Sequence, residues 1–224
     1  MLSFTTPDGV APKGDVRTLV IAGWAGRDRA AVQHHIDELA AVGVAPPSSV
    51  PLYYRASATS LTTAPVVQML GAEGSGEAEA VLLDLGGSRW IGIGSDHTDR
   101  KVESYSVAVS KQMCAKPIGA ELWALETVAP HWDELILRSY ATIGGERVLY
   151  QEGGVKTLLP LDTLIAGWEA NFAPFAPGTA MFCGTVGAIG GIRPSTRFEV
   201  FLEDPVLKRT LSHTYDVDVL PVIA

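Results

Sequence analysis

Two apolar runs meet at a Gly-Gly pair in the middle of the chain, and this fixes more of the fold than any other stretch. Glu77-Ala78-Glu79-Ala80-Val81-Leu82-Leu83-Asp84-Leu85 leads into Gly86-Gly87, and Ser88-Arg89-Trp90-Ile91-Gly92-Ile93-Gly94-Ser95-Asp96 returns. Glycine supplies the positive φ that a two-residue primed turn needs, so the segment reads as a β-hairpin. Such a turn also sets the register. With Leu85 opposite Ser88, Glu77 falls opposite Asp96 and Glu79 opposite Gly94. Side chains facing each other across one face stand roughly 4.5–5.5 Å apart at Cβ, so the three carboxylates converge, with Gly92 and Gly94 leaving room beside them.

Three carboxylates on a face that continues into Val81, Leu83 and Leu85 repel one another unless a positive partner sits among them. A divalent cation with oxygen ligands answers this. Without thiolates or paired imidazoles, magnesium, manganese or calcium fits better than zinc. The alternative is that the hairpin end frays into water and the acids are ordinary solvated surface.

These residues resemble the motifs of the fumarylacetoacetate hydrolase superfamily. Glu77-x-Glu79 followed by Ser95-Asp96-His97-Thr98-Asp99-Arg100 is similar to its Glu-x-Glu and Asn-Asp-x-Ser/Thr-Ala-Arg-Asp motifs. Ser110-Lys111-Gln112 before Pro117-Ile118-Gly119 resembles its Gly-Lys-Ser segment and Pro-Leu-Gly-Pro stretch. Cys183-Gly184-Thr185-Val186-Gly187-Ala188-Ile189-Gly190 resembles its Thr-Gly-Thr-Pro-x-Gly-Val-Gly loop. The four segments occur in the family's order, and the resemblance runs from Thr18 to Val219, pointing to a prokaryotic branch such as domain of unknown function 2848.

The resemblance implies a β-roll-like, mixed α/β fold dominated by sheet, with a few peripheral helices. It implies Glu77, Glu79 and Asp96 as ligands of Mg²⁺ or Mn²⁺, with Ca²⁺ as a further occupant, and Lys111 as the lysine beside the metal, with Lys116 as its rival. Thr185, Gly184 and Arg100 would contact the substrate, a small keto acid. His35 and Glu38 match a His-x-x-Glu pair on a lid helix, where the carboxylate orients an imidazole that takes a proton from water. A homodimer is also implied. Carbon–carbon hydrolysis is the favoured chemistry, with decarboxylation, isomerisation or sugar-acid dehydration as alternatives. A non-catalytic β-rich binding module with a structural cation is the alternative from another class.

The chain departs from the family at several points. Gly23-Trp24-Ala25-Gly26 stands where Gly-Leu-Asn-Tyr is usual, extra residues precede His35, Lys101 replaces the acid after Arg100, and the two metal-bearing strands are joined more tightly.

At 224 residues, 47% hydrophobic, the chain suits one domain, 1–224, with residues 1–17 as a polar lead. Its formal charge of −8, without a basic cluster, argues against nucleic acid and anionic membranes as partners. No apolar run reaches the ~18 residues of a spanning helix, and the N-terminus lacks a signal-peptide pattern, so a soluble cytoplasmic protein is expected. Cys114 and Cys183 read as reduced structural thiols.

Elsewhere Thr18–Gly23 reads as a buried strand and Asp28 starts a helix with an apolar stripe of Val32, Ile36, Leu39 and Ala40. His35 borders that stripe, Glu38 flanks it, and Gly43 ends the helix. Residues 51–55 form a candidate edge strand, and Ser57 to Thr63 a polar loop. Val102 to Met113 is expected helical, Glu121 to Thr127 and Leu135 to Thr142 strands, and Gly144-Gly145 a second tight turn. Pro160 starts another helix, and strands follow at 179–182, 197–202 and 211–219. Ser95-Asp96-His97 is no hydrolase triad, since neighbouring strand residues point to opposite faces. His131 and His213 are read as structural, and the glycines at 187–191 lack a dinucleotide-binding context.

Overall fold

The structure, a computed structural model, describes residues 2–41 and 45–223, apart from the side chains of His35, Glu38, Leu39 and Ala41. The proposed helix stop at Gly43 lies outside the described residues. In chain order the main strands are β1 (Thr18–Gly23), β2 (Leu52–Ala56), β3 (Val66–Leu70), β4 (Ala78–Leu85) and β5 (Ser88–Ser95). They continue with β6 (Trp123–Ala124), β7 (Ile136–Ile143), β8 (Glu146–Gly154), β9 (Thr179–Phe182), β10 (Arg197–Asp204) and β11 (Arg209–Leu220). Helices are α1 (Arg29–Ala41), α2 (Arg100–Glu103), α3 (Val107–Gln112), α4 (Leu125–Val128) and α5 (Leu161–Asn171).

Among the described residues two large sheets form, a six-stranded one in the order β6-β5-β4-β9-β1-β2 and a five-stranded one in the order β8-β7-β10-β11-β3, beside two short two-stranded pairings. The fold is mixed and sheet-dominated, as expected. β4 and β5 pair antiparallel with Leu85 opposite Ser88 and Glu79 opposite Gly94, the register set by the turn. Gly86 and Gly87 have φ of 65° and 89°, as a type I′ turn requires. Gly144 and Gly145 close the β7–β8 hairpin in the same way.

β4 is buried along its whole length, which explains its nearly continuous apolar run. Its two faces belong to different cores. Ala78, Ala80 and Leu82 face the cluster holding Phe198, Val200 and Leu211 of the second sheet. Val81, Leu83 and Leu85 face the cluster of Phe4, Leu19 and Phe182. Glu79 shares this second face by the period of two.

Sequence expectation and structure part company in a few places. The lead segment is docked: Phe4 is buried, and the amide of Leu122 donates to the carbonyl of Thr5 at 2.8 Å. Glu121 to Thr127 is not a strand. Glu121 makes a single bridge to Thr5 and β6 pairs with β5, but α4 begins at Leu125. The helix expected over 102–113 is two, since Asp99 caps α2 through the Val102 amide at 2.8 Å and Ser106 caps α3 through the Val109 amide at 3.3 Å. In α1, Ile36 is buried but Ala40 is exposed. β3 was not anticipated, since Val66-Val67-Gln68-Met69-Leu70 shows no apolar/polar alternation, although Pro65 and Gly71 bound it.

Gly94 is filled differently from the expectation that it leaves room beside the acids. A Cβ there would stand 2.8 Å from the Pro117 carbonyl oxygen and 2.8 Å from the Phe182 ring. Backbone cannot give way as a flexible side chain can, so Gly94→Ala is expected to lower stability by about 1–3 kcal/mol. Urea unfolding checks this, and an unchanged midpoint would mean that the close approach is not tight.

Candidate metal centre

The centre forms at the open end of the β4–β5 hairpin, where the chain leaves β5 and enters α2 and α3. Each of Glu77, Glu79 and Asp96 offers a carboxylate oxygen, and these atoms lie within 4.8 Å of one another. The amide of Asp96 donates to the carbonyl of Glu77 at 3.0 Å, carrying the pairing one residue beyond the strands and fixing the two acids opposite each other. Glu79 and Asp96 are buried at 2% and 0% exposure, while Glu77 stands at the mouth. The hairpin end is therefore not frayed.

Three cations surround the acids. Lys111, on the inward side of α3, donates to Glu77 Oε2 at 3.0 Å and to Asp96 Oδ2 at 2.5 Å. Arg100 donates to Glu77 Oε1 at 3.0 Å, to Glu103 Oε2 at 2.9 Å and to Ser75 Oγ at 2.7 Å. Lys116 lies on an extended segment that pairs in parallel with Leu61–Thr62. Its ammonium donates to the carbonyl of His97 at 2.6 Å and stands 3.0 Å from Asp96 Oδ1. Sequence reasoning treated Lys116 as a rival to Lys111, but both are buried at the same carboxylate. The signal for Lys116 was a lone charge in the uncharged stretch from Gln112 to Ala120.

Glu79 is held from the far end of the chain. The amide of Gly184 donates to its Oε2 at 2.7 Å. Gly184 has φ of +95°, and a Cβ would stand 2.8 Å from that of Ala25, so only glycine lets this loop reach the acid. Thr185 Oγ1 donates to the carbonyl of Ala78 at 2.8 Å and accepts from Gln151 Nε2 at 2.8 Å. Gln151, which sequence reasoning missed, also accepts from the Ala78 amide at 2.9 Å. It ties the 183–187 loop to β4 between Glu77 and Glu79. Gly184, Thr185 and Arg100 thus each make a contact with the carboxylates or the strand that carries them.

His97 points away from the acids, as strand alternation requires. Its Nδ1 lies 3.0 Å from the hydroxyl of Tyr215, which is 2.8 Å from Ser95 Oγ. Burial, helped by Lys116 and Arg100, pushes its pKa down to about 3, so the ring is neutral at pH 7. His131, read as having no clustered partner, stands 3.0 Å from Asp204, remote in sequence and on the second sheet. The side chains of His35 and Glu38 lie outside the described residues. Both cysteines are free and buried.

The donor set fits a hard cation. All three ligands are carboxylates, and Asp96 Oδ1 is buried without a hydrogen-bond donor, Lys116 lying off the line such a bond needs. The charges also pull the acids apart. Burial raises the pKa of Glu77, but Lys111 and Arg100 outweigh it and bring the group down to about 2. Burial and then Asp96 and Glu77 push Glu79 well above the ordinary carboxylate range. For Lys111 burial acts downward, yet Asp96, Glu77 and Glu79 raise it overall.

A pH dependence follows for metal uptake. A raised carboxyl holds its proton to higher pH, and a cation needs the carboxylate, so Mn²⁺ affinity is expected to rise with pH until Glu79 ionises freely. Calorimetry in buffers of different ionisation enthalpy reads the released proton. Affinity independent of pH between 5 and 8, on the order of the usual working range, would remove Glu79 from the ligand set.

This combination of two sheets with an acidic hairpin end defines the class. Solved structures with the same fold include a protein from Oleispira antarctica provisionally named a fumarylacetoacetate isomerase/hydrolase, with TM-score 0.70, 20% identity, and 97% of this chain and 100% of that one covered. A yeast fumarylacetoacetate hydrolase family protein matches with TM-score 0.66 and 15% identity over 93% and 95% of the two chains. A 2-keto-3-deoxyarabinonate dehydratase matches with TM-score 0.65 and 14% identity over 97% and 79%. Among curated proteins none matches the sequence. At these identities the likeness shows that the chain shares the fold of the fumarylacetoacetate hydrolase family proteins. The chain belongs to the family described as protein of unknown function DUF2848, whose model matches residues 22–215. No helix among the described residues is long and apolar enough to cross a membrane.

Proposed function

We propose that this protein is a divalent-metal-dependent enzyme acting on a 2-oxo or 1,3-dicarbonyl carboxylic acid, with carbon–carbon bond hydrolysis as its reaction. The observation that carries the proposal is the convergence of Glu77, Glu79 and Asp96 next to the buried ammonium of Lys111. Glu77, Glu79 and Asp96 would hold Mg²⁺ or Mn²⁺. When bound, the ion supplies Lewis-acid polarisation of a substrate carbonyl.

The other parts belong to the chain. Lys111 presents N–H donors to negative charge that develops on a substrate oxygen. Arg100 and the Gly184 amide position Glu77 and Glu79, each by holding one carboxylate oxygen. Thr185 supports the same strand through Ala78. We assign the proton transfer to His35, oriented by Glu38 three residues on along α1, with His35 taking a proton from water as the carbonyl is attacked. The electron pair of the broken carbon–carbon bond then resides on the enolate of the leaving fragment, which is reprotonated at carbon.

Dehydration of a sugar acid is the second reading, favoured by the likeness in fold to the 2-keto-3-deoxyarabinonate dehydratase. It too passes through an enolate, but that of the intact acid, formed by loss of the proton beside the ketone and followed by expulsion of the neighbouring hydroxyl as water. Incubation of the protein with oxaloacetate, acylpyruvates and deoxy-keto sugar acids, with Mg²⁺ or Mn²⁺ and again with chelator, separates the two by product. Metal-dependent turnover of one class is expected, and His35→Gln should then slow single turnover about a hundredfold while leaving substrate affinity intact. Metal binding without turnover of any of these acids would favour a binding module with a structural cation.

A further inference from the structure

Lys116 is the one cation of the centre that the catalytic proposal does not use. Its side chain and that of Asp96 are both at 0% exposure. The segment carrying it is fixed on two sides, with the Ile118 amide donating to Thr62 at 2.8 Å and the Gly119 amide donating to Ile93 at 2.8 Å. Its ammonium is fixed as well, by the 2.6 Å bond to the carbonyl of His97. Against Asp96 Oδ1 it acts by charge alone, since that oxygen receives no hydrogen bond. The lone pairs of Oδ1 thus stay available to a ligand while the carboxylate's charge is already partly answered.

We propose that Lys116 is a charge-balancing, positioning residue that weakens the binding of a metal on its own and strengthens the binding of an anionic chelating ligand, of the oxalate or 2-oxo-acid class, to the metal-loaded protein. This rests on the metal centre proposed above. Glu77, Glu79 and Asp96 already face Lys111, Lys116 and Arg100, and Glu103, 25% exposed, takes the other side of Arg100. A dication entering this set is repelled by Lys116, which has no exposed surface into which to withdraw. An anionic chelate reverses the sign, because the same fixed charge then attracts it. Metal and acid therefore bind as a pair, and the metal alone binds less well. A lysine that merely braced Asp96 would have a different signature: its loss would loosen the ligand and weaken both steps together.

The experiment is calorimetric titration of Mn²⁺ into the metal-free protein, then of oxalate into the Mn²⁺-saturated protein, for the parent, Lys116→Gln and Lys116→Arg. Gln keeps a donor for the His97 carbonyl and removes the charge. Lys116→Gln is expected to tighten Mn²⁺ at least about tenfold and to weaken oxalate at least about tenfold, a lower bound for one unit charge a few ångströms away at an effective dielectric of about 20. Lys116→Arg should stay near the parent. Both constants weakening together, or neither moving, overturns the proposal while leaving the metal centre in place. A parent that binds no Mn²⁺, with or without oxalate, removes the metal centre and this inference with it. Should Lys116→Gln fail to fold, Lys116→Met carries the same expectation. If neither neutral variant folds while Lys116→Arg does, Lys116 is a structural ion partner and the proposal fails.

Discussion

Glu79→Gln is expected to fold with nearly parental stability and to lose at least about a hundredfold in affinity for Mn²⁺ or Mg²⁺, because even partners outside the ligand set are worth roughly 10–100-fold. The reason for the intact fold lies in the raised pKa of this group. Burial and the neighbouring carboxylates favour its uncharged form in the absence of a cation, and an amide of the same shape replaces that form closely. The Gly184 amide keeps an oxygen to donate to. Asp96→Ala should lose metal as well, but at a visible cost in stability. It leaves Lys111 and Lys116 buried beside a missing charge, and breaking such a pair typically costs about 3–5 kcal/mol. Thermal unfolding and metal titration read together distinguish the two variants. Glu77→Ala completes the set. If Glu77→Ala, Glu79→Ala and Asp96→Ala all bind metal like the parent, the three carboxylates are not a metal centre.

Glu77, whose pKa moves in the opposite direction to that of Glu79, adds an acid sensitivity of the folded state itself. Its pKa falls from 4.5 unfolded to about 2 folded, so its contribution is full above the unfolded value and is lost as pH drops from there toward 2.

The second large effect is expected at Lys111. Lys111→Met should lower kcat about 10²–10³-fold, the loss typical of one donor aimed at developing negative charge. Metal affinity should not fall with it. The ammonium bonds to Glu77 Oε2 and Asp96 Oδ2, so its removal frees oxygens for a cation and the variant should bind Mn²⁺ at least as tightly as the parent. Single-turnover kinetics with a substrate found by screening, combined with metal titration, separates the two quantities. An undiminished kcat would take Lys111 out of the chemistry. A fall in kcat accompanied by an equal fall in metal occupancy would make it a support for the ligands instead.

Much of the acidic hairpin was legible because its information is local. A Gly-Gly turn fixes register within two residues, and a period of two then puts Glu77, Glu79, Val81, Leu83 and Leu85 on one face without reference to the rest of the chain. The family motifs added Lys111, which lies 15 residues from Asp96 and reaches it through two short helices. Helix boundaries were legible where caps were looked for and missed where they were not: Ser106 divides the 102–113 stretch, and apolar periodicity carries no trace of that break.

What the tertiary structure alone decided is which donors take the remaining carboxylate oxygens. Gly184 reaches Glu79 from 105 residues away, and Gln151 reaches Ala78 from 73, through a strand order in which β9 sits between β4 and β1. Lys116 stood only as a rival to Lys111 until the pairing of its segment with Leu61–Thr62 buried it at Asp96 alongside Lys111. Gly94 looked like free space for a cation until Phe182 and the Pro117 carbonyl were packed against it. The physical reason is the same in each case. Periodicity and turn chemistry specify which face of its own element a side chain occupies. The charge, donor or ring that meets it there comes from distant segments, and its identity is fixed only when strands pair and the two sheets close.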